Sequence, residues 1–495
     1  MIGARGMRRL VSMMGLWAFV LAPLPAETIL LHSLAFDTPP PEGLSFLDPV
    51  LFTSINPDVP MGGDDGSLWQ GRGLNSSLKG GARWAENGFE LTLAPELDFS
   101  QNLAYSTLNG NGDYGWGLDR VQRYSKSPLV HLDFGDSEIR YRWNGWTAGL
   151  GSQSLWLGSA QRQAVLLSDN AGGFPHLDLG TAGMMPVSWL WGSFEGHLLW
   201  GGLYNSEQYV DGWNADPSNW RFFHGLVIGY SPKILPQWTF GGARLFYSPW
   251  KTISLFKVFE SIDDTIWKQA RGSSINGSSG EDDVDQLIAM YIDVKYPEQG
   301  FHGYVELARN DHSADLRNFL LEPDRTGGYV VGVEQTLPLA GFGSWFILCE
   351  IGDTSINVSG IMDPAGSWYR HGMNPDGYTL GGQVLGAAMG PGSNSQYIES
   401  GVRTNRWAAS LSFERVDLDN DYAYTLLQSL SGKTGYDVLD VRMTGALHGS
   451  ILWDSWEYAG MLGLVKELNN NFIAGHDLTN FVLNFQVTYK LGQKN

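Results

Sequence analysis

Residues Phe481 to Tyr489 read FVLNFQVTY. Phe481, Leu483, Phe485, Val487 and Tyr489 fall on one face; Asn484, Gln486 and Thr488 fall on the other, with Lys490 following. A period of two is the side-chain alternation of a β-strand. The pattern recurs. Ile288, Met290, Ile292, Val294 and Tyr296 oppose Asp293 and Lys295. Phe89, Leu91 and Leu93 alternate with Glu90 and Thr92, and Ile139, Tyr141 and Trp143 with Arg140, Arg142 and Asn144. Trp407, Ala409, Leu411 and Phe413 alternate with Ser410 and Ser412. Many such runs end in an aromatic residue: Trp143, Tyr230, Trp250, Tyr296, Tyr489. Aromatic ends, a polar second face and strands of about ten residues are the signature of an outer-membrane barrel. Lipid admits only helices and closed barrels, because unpaired backbone groups there find no water. After Ala26 no apolar run reaches the ~18 residues of a membrane-spanning helix. The expected fold is therefore all-β: a transmembrane antiparallel β-barrel, its lumen partly plugged by loops. A secreted β-sandwich or propeller competes, and the lack of a 20–50-residue repeat weakens the propeller.

Composition agrees with that class. Charged residues are 17%, against about 25% in an ordinary soluble domain. There are 63 glycines and 20 tryptophans, a balance opposed to disorder. The formal charge of −20 argues against a nucleic-acid partner, whose phosphates need Lys and Arg. A single cysteine, Cys349, excludes an intramolecular disulfide framework and any multi-cysteine zinc site. It reads as a small apolar residue.

Three regions are expected. Residues 1–26 read as a secretory signal rather than a retained anchor: Arg5, Arg8 and Arg9, an apolar stretch from Leu10 to Leu24, then Pro25 and small Ala26. Residues 27–67 read as a Pro-rich periplasmic or lumenal segment, and 68–495 as the barrel. Between strands lie Gly-, Asn-, Asp- and Ser-rich runs such as Asn109 to Gly117, Gly272 to Asp285 and Asp417 to Asp421.

Catalytic signatures are missing: no GxSxG, HExxH or Walker loop occurs. Asp417, Asp419 and Asp421 start a calcium-loop spacing, but Tyr422 stands where glycine is needed and Gln428 where the closing Glu belongs. No metal or cofactor is expected, nor an enzyme, although separate strands of a barrel can assemble Ser with His. Three segments are richer than strands and turns require. They are Val165 to Thr181 (VLLSDNAGGFPHLDLGT), Tyr304 to Tyr329 (YVELARNDHSADLRNFLLEPDRTGGY) and Trp368 to Tyr397 (WYRHGMNPDGYTLGGQVLGAAMGPGSNSQY). In the second, alternation points Glu306 inward. Arg309, Asp311, His312, Asp315 and Arg317 then crowd the strand end, as an ion-paired loop anchor in a lumen or as a ledge for sugar hydroxyls. Tyr369, Arg370, His371, Asp376 and Tyr378 are the matching candidates in the third.

These segments resemble the Wzi-type capsule-assembly family of outer-membrane proteins. ELARNDHSADLRNFLLEP follows that family's Glu-Ala-Arg-(Asn/Asp)-Asp-His pattern with its Asp-Leu-Arg continuation; YRHGMNPDGYTLGGQVLG and LSDNAGGFPHLDLGT follow two more, all in order between about Leu68 and Tyr397. The resemblance implies 18 strands and a surface lectin that holds capsular polysaccharide at the outer membrane of a Gram-negative-type bacterium. There are departures. Pro39, Pro40, Pro41, Pro49, Pro57 and Pro60 leave little room for the helical bundle of the best-known branch. Gly392-Ser393-Asn394-Ser395 stands where many relatives have Gly-x-Asp-Ser. A polar tail follows Leu491 where a terminal aromatic is usual.

Partners expected on this reading are surface polysaccharide and outer-membrane lipid, with the chain a monomer. Loop aromatics, including Tyr114, Trp116, Trp213, Trp220 and Trp368, would stack on sugar faces. Many capsules are acidic and so is this chain; either basic residues such as Arg370, Arg403 and Arg406 carry recognition, or the glycan is neutral. The alternative function is a channel for small solutes or oligosaccharides; a membrane-embedded hydrolase comes third.

Overall fold

The computed structural model describes residues 30–106, 127–205, 220–253, 258, 284–310, 316–362, 366–370, 376–429 and 432–491. The signal stretch, Tyr114, Trp116 and Trp213 lie outside them. Among the described residues eighteen antiparallel strands close a barrel. They are β1 (Gly43–Asn56), β2 (Gly73–Glu86), β3 (Phe89–Leu93, continuing as Glu96–Ser100), β4 (Leu129–Asp133 and Glu138–Trp143), β5 (Trp146–Gly151) and β6 (His176–Thr181 and Met185–Val187). Then follow β7 (Gly192–Leu203), β8 (Arg221–Pro232), β9 (Trp238–Pro249), β10 (Asp285–Tyr296), β11 (Phe301–Asn310) and β12 (Gly327–Leu339). The last are β13 (Gly343–Asp353), β14 (Asn394–Arg403), β15 (Trp407–Leu418), β16 (Asp440–Trp453), β17 (Trp456–Leu468) and β18 (Leu478–Tyr489). Closure is made by β1, which pairs with β2 on one side and with β18 on the other.

One boundary differs from expectation. The barrel starts at Gly43, not near Leu68, because Pro49 does not stop β1. The register shifts between Leu47 and Val50, and a bulge is where a strand tolerates proline. Residues Leu30 to Asp37 lie in the lumen, where Leu30 and Leu31 are fully buried. Their one helix is the single turn Leu34–Asp37.

Strand alternation sorts side chains between lipid and lumen. On β18, Phe481 and Phe485 are each 48% exposed while Asn480, Asn484, Gln486 and Thr488 are buried. Leu411, Leu447, Leu462 and Leu464 likewise point outward. The short turns all lie at one end. Two of them, Asn87-Gly88 and Asn144-Gly145, have both residues at positive φ, the two-residue hairpin geometry that matches strand twist. Aromatics ring this end: Trp84 on Phe89, Phe342 on Trp407, and Trp456 on Tyr489 at 4.8 Å between centroids. Such a girdle marks a membrane interface. A charge on the lipid face should therefore be costly. Phe485→Arg is expected to lose roughly 2–4 kcal/mol of folded stability, read by urea unfolding in vesicles, while Asn484→Ser on the lumen face changes it little.

Candidate functional site

The lumen beside β7 to β13 is filled by three segments: residues 30–38, residues 152–175, and residues 366–370 with 376–392. Leu30, Leu31, Leu155, Leu157, Val165, Leu166, Phe174, Tyr369, Tyr378 and Leu385 form one apolar core with wall residues such as Val227, Leu245, Tyr291 and Val330. Apolar packing alone would leave the plug's irregular backbone unpaired, and buried N–H groups must be satisfied. Three inward carboxylates do this. Glu195 on β7 accepts from the N–H of Leu30 at 2.8 Å and of Leu31 at 3.1 Å. Glu306 on β11 accepts from Ala160 at 3.1 Å and Val165 at 3.2 Å. Glu350 on β13 accepts from Gln161 and Gln163, both at 2.8 Å, and from Arg162 at 3.2 Å. The Tyr304 hydroxyl also donates to Glu350, at 2.5 Å. Gly158 has φ +100°, and a Cβ there would meet Glu306 Oε1 at 2.1 Å, so the plug needs glycine where it crosses that carboxylate.

The sequence-derived candidates fall into this frame. Glu306 does point inward, 1% exposed, and its partners are plug amides. Arg309 donates to the Arg325 carbonyl at 2.7 Å. Arg317 is exposed on the short helix Leu316–Leu321. Asp311, His312, Asp315 and His371 lie outside the described residues. Tyr369 and Tyr378 stack inside the plug, 5.9 Å apart and 18° from parallel, and the Tyr369 hydroxyl donates to the Val165 carbonyl at 2.7 Å. Arg370 pairs with Asp419 at 2.6 Å. Asp376 is buried. Tyr369, Asp376 and Tyr378, with Trp368, are thus interior to the plug rather than displayed to a polymer. The aspartates of the calcium-like spacing are committed elsewhere: Asp417 to Arg415, Asp419 to Arg370, and Asp421 to the Ile356 N–H at 2.6 Å. No His, Cys, Asp and Glu grouping suited to a metal occurs among the described residues.

A cavity of about 180 Å³ lies at the long-loop end, beside the plug. Its walls include Asp65, Trp69, Gln70, Tyr105, Asn170, Gln383, Ala388, Asp419, Arg442, Glu467, Asn470 and Asn471. The β1–β2 loop supplies one side. Trp69 Nε1 donates to Asn102 at 3.1 Å, which fixes the indole. Gln70 is 4% exposed, and its Oε1 has no protein partner. Opposite stands the β17–β18 loop, where Asn469, Asn471 and Phe472 all hold positive φ. Asn tolerates that region; a bulky aromatic seldom does. Phe472 is kept there by edge packing on Tyr422 at 4.7 Å. Strained backbone gathers at ligand clamps. Burial pushes the Asp65 carboxyl up to about 7 and that of its neighbour Asp64 to about 8.

The model of the family described as capsule assembly protein Wzi matches residues 99–444. The chain belongs to the Wzi family. Among curated proteins none matches the chain by sequence. Of solved structures, Wzi of Escherichia coli, described as an outer membrane protein of group 1 capsule assembly and a carbohydrate-binding β-barrel, has TM-score 0.59 and 14% identity. That match covers 90% of this chain and 85% of Wzi. The Acinetobacter baumannii barrel OccAB4 (TM-score 0.44, 8% identity, 90% and 97% covered) and Pseudomonas aeruginosa OccK2 (0.42, 11%, 90% and 98%) are more distant. The barrel is an outer-membrane protein, as the sequence pattern suggested.

Two features of this Wzi-family barrel escaped the sequence reading. One is the set of partners chosen by Glu195 and Glu350. The other is the whole cavity, whose walls join the first and last strand connections to residues of the plug and of other loops. Among the described residues a nucleophile and a base meet in the lumen: Ser412 Oγ lies 2.7 Å from His448 Nε2. If that pair is structural, Ser412→Ala will leave surface polysaccharide unchanged in amount and attachment, as measured on intact cells.

Proposed function

We propose that the chain is a non-catalytic, lectin-like anchor that holds capsular or other surface polysaccharide at the cell surface, with the long-loop cavity as its contact. Sugars present hydroxyls and small apolar faces. The cavity offers the Trp69 ring for the faces and the amides of Gln70, Asn170, Gln383, Asn470 and Asn471 for the hydroxyls. Each contact is weak, and a repeating polymer gains by multivalency. The observation that carries this reading is the pairing of an amide-rich cavity at the mouth with a stapled plug beneath it. Long loops face outward in single-chain bacterial barrels, so the cavity meets the polymer and the plug opposes passage. That favours an anchor over a channel.

Further parts of the proposal are cleavage of residues 1–26 as a secretory signal, a lumenal strap from Leu30 to the start of β1, a lipid-facing apolar band, and a monomer. The test is a deletion strain whose polysaccharide is split into cell-bound and shed fractions. Unchanged total with transfer to the medium supports attachment. An unchanged bound fraction contradicts it.

A further inference from the structure

The mouth of the barrel has a definite charge. Three carboxylates line the cavity, Asp65, Asp419 and Glu467, and Arg442 is the lining cation among the described residues. Arg442 is committed: its Nε lies 2.8 Å from Glu467 Oε2. Arg370, behind Asp419, is held at 2.6 Å by that carboxylate. Asp65 has a backbone partner, the Gly63 N–H at 2.6 Å, and no ion-pair partner within 4 Å among the described residues. Asp64, 2% exposed beside it, has Oδ1 without a partner. Arg403 and Arg406, named above for anion recognition, are elsewhere. Arg403 pairs with Glu334 at 2.7 Å and lies 3.8 Å over the Phe346 ring. It opens the short β14–β15 turn that carries Arg406, at the opposite end of the barrel.

We infer that the cavity accepts polysaccharide segments without acidic substituents, neutral or amino-bearing sugars, and disfavours those carrying uronate, phosphate or sulfate. This deepens the anchor reading and rests on it. An anionic group entering the cavity must shed water beside Asp65, Asp419 and Glu467, and the lining cation among the described residues, Arg442, already serves Glu467. Like charge across a binding surface is a device of exclusion. The buried, unpartnered Gln70 Oε1 asks for a donor, which a sugar hydroxyl or ammonium supplies and a carboxylate does not.

The test uses the detergent-solubilised full chain and polysaccharide purified from cells that carry it. Binding is measured for the native polymer and for the same polymer with primary alcohols oxidised to carboxylates. The expected result is a native polymer free of acid groups. At about pH 8.5, above the value near 7 to which burial pushes the Asp65 carboxyl, oxidation should weaken binding about tenfold or more at low salt, a loss that high salt narrows and Asp65→Asn partly recovers. Equal affinity of the two forms, or a native polymer with an acid in each repeat that binds tightly at low salt, overturns the inference. Binding of neither form, with no shedding in the deletion strain, would instead overturn the anchor reading itself.

Discussion

Glu350→Ala will loosen the plug and let current through the barrel. The carboxylate holds three consecutive plug amides, Gln161, Arg162 and Gln163, and the Tyr304 hydroxyl. Removing it strands buried donors at about 1–3 kcal/mol each, which exceeds what the neighbouring apolar contacts of one turn restore. The strand ladder is untouched: β13 pairs with β12 and β14 through its backbone. The variant should therefore insert and migrate as a folded barrel, yet show discrete conductance steps in planar bilayers where the parent is nearly silent. Glu350→Gln keeps an acceptor oxygen and should lie between them. If Glu350→Ala is as silent as the parent, apolar packing alone secures the plug.

Ala388→Trp will release polysaccharide from the surface. Ala388 lines the cavity, and a Cβ built on Gly63 across from it would sit 3.1 Å from the Ala388 Cβ. An indole there occupies the space that a sugar ring needs. The residue belongs to a connecting loop, so strand pairing and the carboxylate staples remain. Affinity for the polymer should fall about tenfold or more, at least 1.4 kcal/mol, and the shed fraction should approach that of the deletion strain. Leu447→Trp, on the lipid face, is the matched control and should retain polymer normally.

Strand identity and facing were legible in the sequence because period-two alternation is local. Phe481 to Tyr489 could be sorted into lipid and lumen faces without any knowledge of neighbours, and the same logic turned Glu306 inward. Its partners were not legible. Which amides meet Glu306 depends on a segment that precedes it by about 140 residues in the chain. No local pattern carries that separation. Glu195 and Glu350 sit at inward positions of apolar strands, a signal that was present: a carboxylate on such a face needs partners. Arg309 bonds the Arg325 carbonyl across the β11–β12 connection, a contact that no local pattern announces; Asp311, His312 and Asp315 of the expected ion cluster lie outside the described residues. The boundary at residue 68 failed for a different reason. A bulge at Pro49 keeps β1 in the barrel, and bulges leave little trace in composition. The cavity was hidden most deeply, since Trp69 and Asn470 meet only when the last strand closes on the first.

The most direct measurement is binding of purified surface polysaccharide to the full chain in detergent, with parent and Ala388→Trp compared side by side. The account predicts saturable binding to the parent and loss of about tenfold or more in the variant, with both chains folded. Equal binding by the two would contradict the claim that the long-loop cavity holds the polymer.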